Sequence, residues 1–279
     1  MFGLFLVFSS TLFKEISSTI GKYQIAEKRS TIFTFGFLEI FWGTIAYFAI
    51  AFLIRQEFIF SLDSLPTFGL RLVLEVVQAH VTVLALARAS RSTFTFLRTL
   101  TIPLLLVTDM FLGYSLGTVQ IVGVLLILCA LISLFYGNRR IDRAGAGLVL
   151  FTAVNSVATL SLYKYNISHF NSVEAEQGLI ALAVLTYFFI AGYIYNKENP
   201  FRFLRQRTFF MQSISSGLGS VILAYSYTLA AASIITTAKR ASEILWALVS
   251  GQYYFAEKNL TQKILAFLVV GAGLVLLTL

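Results

Sequence analysis

The sequence predicts an all-α polytopic membrane protein with ten transmembrane helices arranged as two inverted five-helix repeats. Stretches of about twenty apolar residues fill the chain almost end to end, with short loops between them. Hydrophobic residues make up 58% of it and charged residues only 12%. A soluble protein of 279 residues has too little interior to hide that much apolar surface. A bilayer core ~30 Å thick takes ~20 helical residues to cross, which matches the length of these stretches.

The first span, Phe2–Tyr23, lacks a basic leading region and a small-residue cleavage site, so it reads as a retained helix and not as a signal peptide. Thr31–Ile54, Pro66–Ala87 and Thr93–Leu112 follow. Thr118–Tyr136, with the single Cys129 mid-span, closes the first five. Gly145–Tyr165, Ala175–Tyr195, Thr208–Ala231, Ser233–Phe255 and Thr261–Leu279 make the second five. All are read as helices, because a helix or a closed barrel alone satisfies every backbone group in lipid and the runs lack the alternation of barrel strands. The joint at Leu229–Ser233 is the least visible, having no charge to mark it. No loop is long enough to be a soluble domain.

A basic seam at Gly137–Gly145 divides the chain into residues 1–138 and 144–279. The halves match weakly at an offset of about 143: Gly3-Leu4 with Gly147-Leu148, Lys22-Tyr23 with Lys164-Tyr165, and Leu86-Ala87 with Leu229-Ala230. Five spans is an odd number, so the second half enters the membrane upside down. That is the plan of many secondary transporters, with a central site between the halves. Lys and Arg set the orientation. Loops after odd-numbered spans hold Lys22, Lys28, Arg29, Arg88, Arg91, Arg139, Arg140, Arg143, Lys197, Arg202, Arg205, Arg207, Lys258 and Lys263, against Arg55 and Lys164 on the other face. The positive-inside rule makes the first set cytoplasmic and places both termini on the non-cytoplasmic side. The net charge of +8 then reflects cytoplasmic anchoring and not a nucleic-acid partner.

Charges inside spans cost at least ~2.5 kcal/mol each and usually face a polar cavity. Lys14, Glu15, Glu39, Arg71, Glu75, His80, Arg98, Asp109, Lys239, Arg240 and Glu243 all fall inside predicted spans. Arg71 and Glu75 are four apart and are expected to neutralise each other. Asp109 is expected at the interface, and His80 to be hydrogen-bonded within the bundle. Lys14 and Glu15 need partners on other spans. Arg98 maps under the repeat offset to within two positions of Lys239-Arg240, and Glu243 alone lies near in sequence to offset three cations. The expectation is a basic cluster at the repeat axis that binds a carboxylate or phosphate, with Pro103 kinking span four beside it. Tyr225, Tyr227 and Trp246 are expected to line the cavity. Glu39, without a basic residue within a helical turn, is the first candidate for proton coupling and Glu75 the second.

No Walker A loop, dinucleotide fingerprint, His/Cys metal spacing or nucleophile elbow occurs, so neither an enzyme, a metal site nor a cofactor is expected. The segments Ser233–Leu245, Glu257–Lys263 and Gly271–Leu276 resemble the EamA-like drug/metabolite transporter superfamily, in which an apolar helix, a short acidic-basic turn and a Gly-bearing last helix end the chain. The first half shows the pattern more loosely, with Gly113 where an acidic turn residue is expected, and Lys22 looks like the Lys that closes span one in many relatives. The resemblance covers the whole chain as ten spans in two repeats and is specific over about the last fifty residues. It is distantly similar to sugar-phosphate and nucleotide-sugar translocators, where a pair like Lys239-Arg240 holds phosphate and a span-four Lys stands near the position of Arg98. It implies cytoplasmic termini, whereas the charge distribution of this chain places both on the non-cytoplasmic side.

The expected function is a secondary carrier, exporter or exchanger, of a small polar or anionic metabolite by alternating access. It is expected in the bacterial cytoplasmic membrane, as a monomer or homodimer, with the lipid bilayer and the small molecule as its partners. The alternative is a proton-coupled exporter of cationic or amphipathic compounds. The third reading is a membrane scaffold or sensor.

Overall fold

The computed structural model describes residues 2–89, 94, 97–111, 117–137, 143–230, 232–255 and, in the last stretch, 265, 268–269, 271–273 and 275–276. The described chain is helical, and no strand occurs among these residues. Its helices longer than two turns are α1 (Phe2–Ala26), α2 (Ile32–Ala49), α3 (Leu65–Arg88), α4 (Thr101–Phe111), α5 (Thr118–Gly137), α6 (Arg143–His169), α7 (Val173–Asn196), α8 (Arg207–Leu229) and α9 (Ala232–Phe255). Side-chain caps set several starts: Thr31 accepts from the Thr34 amide before α2, and Ser172 from the Ala175 amide before α7. Pro66, in the first turn of α3, removes an amide that had no partner there. α2 runs on into wider π-type turns over Ile50–Arg55 and stops at Gln56, whose φ of 53° is left-handed.

Among the described residues, four helices are long and apolar enough to cross a membrane: Ile32–Arg55, Leu62–Arg88, Gly145–His169 and Val173–Asn196. Leu53, Ile54, Val73, Val154 and Ile194 stand exposed on the outer surface. That surface is unfavourable in water and at home in hydrocarbon, so the protein is read as membrane-embedded. The seam at residues 138–142, the Glu257 turn and most of the last predicted span lie outside the described residues.

Packing joins distant parts of the chain. α1 lies along α8, α3 along α6, and α2 between α7 and α8, with α1 also against α9. The largest core joins Phe35, Phe37 and Leu38 of α2 to Val83 and Leu86 of α3 and Phe188 of α7. Small residues set the closest approaches, as expected where lipid offers no hydrophobic drive between helices. Ser10 Oγ donates to the Gly219 carbonyl at 2.7 Å, bringing α1 onto α8. A Cβ on Gly217 would lie 2.7 Å from the Gly43 nitrogen and 2.8 Å from Trp42 Cβ, so α8 meets α2 backbone to backbone. Gly217→Ala is therefore expected to force these helices apart and to lower stability by about 1–3 kcal/mol, the usual range for overpacking. Thermal unfolding in detergent measures it, and an unchanged midpoint would contradict the close approach.

Two sets of contacts recur at equivalent places. Lys22 donates to the Ala89 carbonyl beyond the end of α3 at 3.1 Å. Lys164 donates to the Tyr227 and Ala230 carbonyls at the end of α8, at 2.7 and 3.3 Å. Each ammonium thus satisfies helix-terminal carbonyls that have no intrahelical partner. The α2–α7 pair is fastened at both ends. Thr31 and Thr34 donate to Glu198 at 2.7 and 2.5 Å at one end, and Arg55 pairs with Glu174 at 3.1 Å at the other. Positions 31 and 174 lie 143 apart, as do 55 and 198.

Candidate functional site

A cavity of about 270 Å³ opens within the bundle, walled by α1, α2, α3, α7, α8 and α9 and by Phe94 and Arg98 ahead of α4. Its apolar wall includes Phe35, Ile40, Val83, Leu86, Phe188 and Leu223. Seven charged side chains reach it: Lys14 and Glu15 from α1, Glu39 from α2, Glu75 from α3, Arg98, and Lys239 and Glu243 from α9. The segments that wall it border the Lys/Arg-rich loops, through Ser18, Phe35, Leu86 and Phe94. A second chamber of about 210 Å³ adjoins it, sharing Ile40, Glu75 and Ala79 and reaching Tyr47 and Gln177.

The structure brings Arg98 and Lys239 together on this wall. Arg98 lies over the Phe94 ring at 5.2 Å, and its buried Nε has no partner among the described residues. Lys239 is 4.0 Å from Glu243, an ion-pair distance with no hydrogen bond. Arg240 departs from expectation. It is 1% exposed and does not line the cavity; Nη1 donates to Glu243 at 2.6 Å and Nε to Thr101 at 3.2 Å. Consecutive helical residues point about 100° apart, so Lys239 and Arg240 cannot both face one cavity. Glu243 is thus committed to Arg240, which leaves Arg98 and Lys239 without a hydrogen-bonded carboxylate among the described residues. The side chains of Pro103 and Asp109 lie outside the described residues.

The three expected aromatic lining residues are all elsewhere. Tyr225 donates to Glu174 and sits under Arg55, 5.3 Å from its ring centre. Tyr227 is buried, with its hydroxyl 3.0 Å from that of Thr236. Trp246 packs on Phe8 at 4.8 Å. Phenylalanines of α2 and α7 occupy the wall instead.

Glu39 also differs from expectation. It accepts from Ser17 at 2.5 Å and Ser216 at 2.7 Å, and Lys14 is 3.4 Å away. Its cation comes from α1, a partner invisible to spacing along α2. Lys14 donates in turn to Ser216 at 2.7 Å, and Glu15 accepts from Ser250 at 2.5 Å, so both find the partners on other helices that they needed. His80 is hydrogen-bonded to the Tyr187 hydroxyl at 2.7 Å.

Arg71 and Glu75 do not form a self-contained pair. They are 3.5 Å apart, while Arg71 donates to Glu176 at 2.7 Å and Gln177 at 3.2 Å and lies over the Tyr163 ring. Glu176 also accepts from Asn166 at 2.8 Å and Asn171 at 2.6 Å, and Asn171 donates on to Ser64. With Arg55–Glu174–Tyr225, this polar cluster joins the ends of α2, α3, α6, α7 and α8 opposite the Lys/Arg-rich loops. Asn166, in a glycosylation sequon, is fully buried there, so it is no acceptor. Sequence reasoning missed Glu174 and Glu176; the signal was two acids in the first turn of a span, where the helix dipole favours them.

No family model matches the chain, and no curated protein matches it. Among solved structures, a crystal structure described only as that of a protein is similar over 97% of this chain and 98% of its own, with a TM-score of 0.70 at 14% identity. At that identity the likeness concerns the fold alone.

Proposed function

We propose that the chain is a secondary membrane carrier of the EamA-like type, which holds a small polar metabolite by an anionic group and moves it by alternating access. The observation that carries this reading is the cavity wall where Arg98 and Lys239 lack close hydrogen-bonding partners among the described residues. Cations kept inside an apolar bundle are costly, and a bound carboxylate or phosphate offsets that cost through charge-assisted hydrogen bonds. The matching roles of Lys22 and Lys164, and the contacts 31–198 and 55–174, support two five-helix halves of opposite orientation. A cavity bordered by the basic loops, with a hydrogen-bonded cluster at the far end, supports alternate opening of two faces. The excess of Lys and Arg on one face supports a cytoplasmic position for these loops, with both termini on the opposite side.

Proteoliposomes loaded with a panel of organic phosphates, sugar acids and amino acids test the reading by uptake and counterflow. If no compound moves and none shifts thermal unfolding, the carrier reading falls and a scaffold or sensor takes its place. For a compound that does bind, Lys239→Ala and Arg98→Ala are each expected to weaken it roughly ten- to hundredfold, the loss of one charge-assisted hydrogen bond. Normal binding by Arg98→Ala with failure of Lys239→Ala would confine the site to the second half; normal binding by both would remove the anion assignment. The proton-coupled alternative rests on Glu75, whose one ion-pair contact among the described residues is long, more than on well-bonded Glu39. Coupling to a pH gradient that survives Glu39→Gln and Glu75→Gln would end it.

A further inference from the structure

We propose that Glu75 selects a cationic group on the carried molecule, so that the site takes a zwitterion in preference to a simple anion. This rests on the carrier reading above and adds the substrate class. Four carboxylates line the cavity, and three accept hydrogen bonds from donors of the protein. Glu39 accepts from Ser17 at 2.5 Å and Ser216 at 2.7 Å. Glu15 accepts from Ser250 at 2.5 Å and Thr19 at 3.2 Å. Glu243 is held by Arg240 at 2.6 Å. Glu75 has its guanidinium contact at 3.5 Å, with Arg71 committed more closely to Glu176 at 2.7 Å. It makes no hydrogen bond among the described residues.

The same comparison sorts the cations. Lys14 donates to Ser216 at 2.7 Å, whereas Arg98 and Lys239 keep donors without close acceptors among the described residues. Among the described residues, the wall thus offers an incoming molecule two cations and one carboxylate. Glu75 lies where the cavity meets the second chamber, at its inner end. A simple anion bound at Arg98 and Lys239 leaves Glu75 underpartnered and repelled by the ligand. A zwitterion removes both penalties by donating its ammonium protons to Glu75, and a low-dielectric wall strengthens that hydrogen bond.

Calorimetric titration of the purified full chain in nanodiscs tests this with the ω-amino acids from glycine to 6-aminohexanoate, which increase the charge separation stepwise. Each is compared with its n-alkyl carboxylate and its n-alkylamine of the same length. At least one amino acid is expected to bind roughly tenfold or more tightly than both matched compounds. Glu75→Gln is expected to bring that amino acid down to the level of its carboxylate, and to tighten the carboxylate by removing a like charge. Carboxylates that bind as well as the amino acids in the unaltered chain would overturn the role of Glu75 and leave the anion carrier standing. A zwitterion preference undiminished by Glu75→Gln would do the same. Binding by none of the three series would overturn this proposal and count against the carrier reading as well. Should Glu75→Gln not fold, the affinity ratios of the unaltered chain decide.

Discussion

Glu176→Ala is expected to lower the unfolding free energy by about 3–5 kcal/mol, the cost of leaving one member of a buried ion pair without its counter-charge. Glu176 is 0% exposed, and Arg71 opposite it is 1% exposed. The carboxylate takes three hydrogen bonds, from Arg71, Asn166 and Asn171, so its removal strands three donors at once. Arg71 keeps Gln177 at 3.2 Å and Glu75 at 3.5 Å, neither of which replaces a contact at 2.7 Å. Glu176→Gln keeps an acceptor and loses the charge, so it is expected to cost less than the alanine. Chemical unfolding in mixed micelles measures both. A change below about 0.5 kcal/mol for the alanine, the scale of an ordinary surface substitution, would contradict the role given to this cluster.

Arg240→Ala is expected to cost a similar amount of stability, which separates it from its neighbour. Arg240 bridges Glu243 on its own helix to Thr101 at the head of α4, and none of this depends on a ligand. Its loss leaves Glu243, among the described residues, with Lys239 at 4.0 Å. Lys239→Ala, on the cavity wall, is expected to lose affinity while unfolding close to the unaltered protein. The double variant Arg240→Met with Glu243→Gln is expected to recover part of what Arg240→Ala loses, because it removes both charges together. Double-mutant analysis of unfolding, alongside binding isotherms, distinguishes the two lysine and arginine roles. An Arg240→Ala protein of normal stability and lost binding would return Arg240 to the site.

Much of the site was legible as a set of misplaced charges, since an ionised side chain in an apolar span is conspicuous in sequence. Lys14, Glu15, Glu39, Glu75, Arg98, Lys239 and Glu243 were all visible in that way, and all reach the cavity. Their division of labour was not. Glu39 looked solitary because its Lys14 and Ser216 partners stand 25 and 177 residues away. Arg71 looked paired with Glu75 because a spacing of four puts both on one helical face, which a sequence displays directly; its closer partner, Glu176, is 105 residues on. The aromatic lining failed for the same reason. Tyr225 and Tyr227 are expected on the cavity wall, whereas rotation of α8 turns them to Glu174 and Thr236.

By itself, then, the sequence determined what depends on composition and short-range periodicity: an all-helical chain, spans long enough for a bilayer, and charges whose burial demands partners. These follow from the free energy of moving each residue out of water and from backbone hydrogen bonding within a single helix. Only the tertiary structure decided which charge meets which, because those choices rest on helix rotation and on approaches such as Gly217 against Gly43, fixed by packing between segments far apart in the chain.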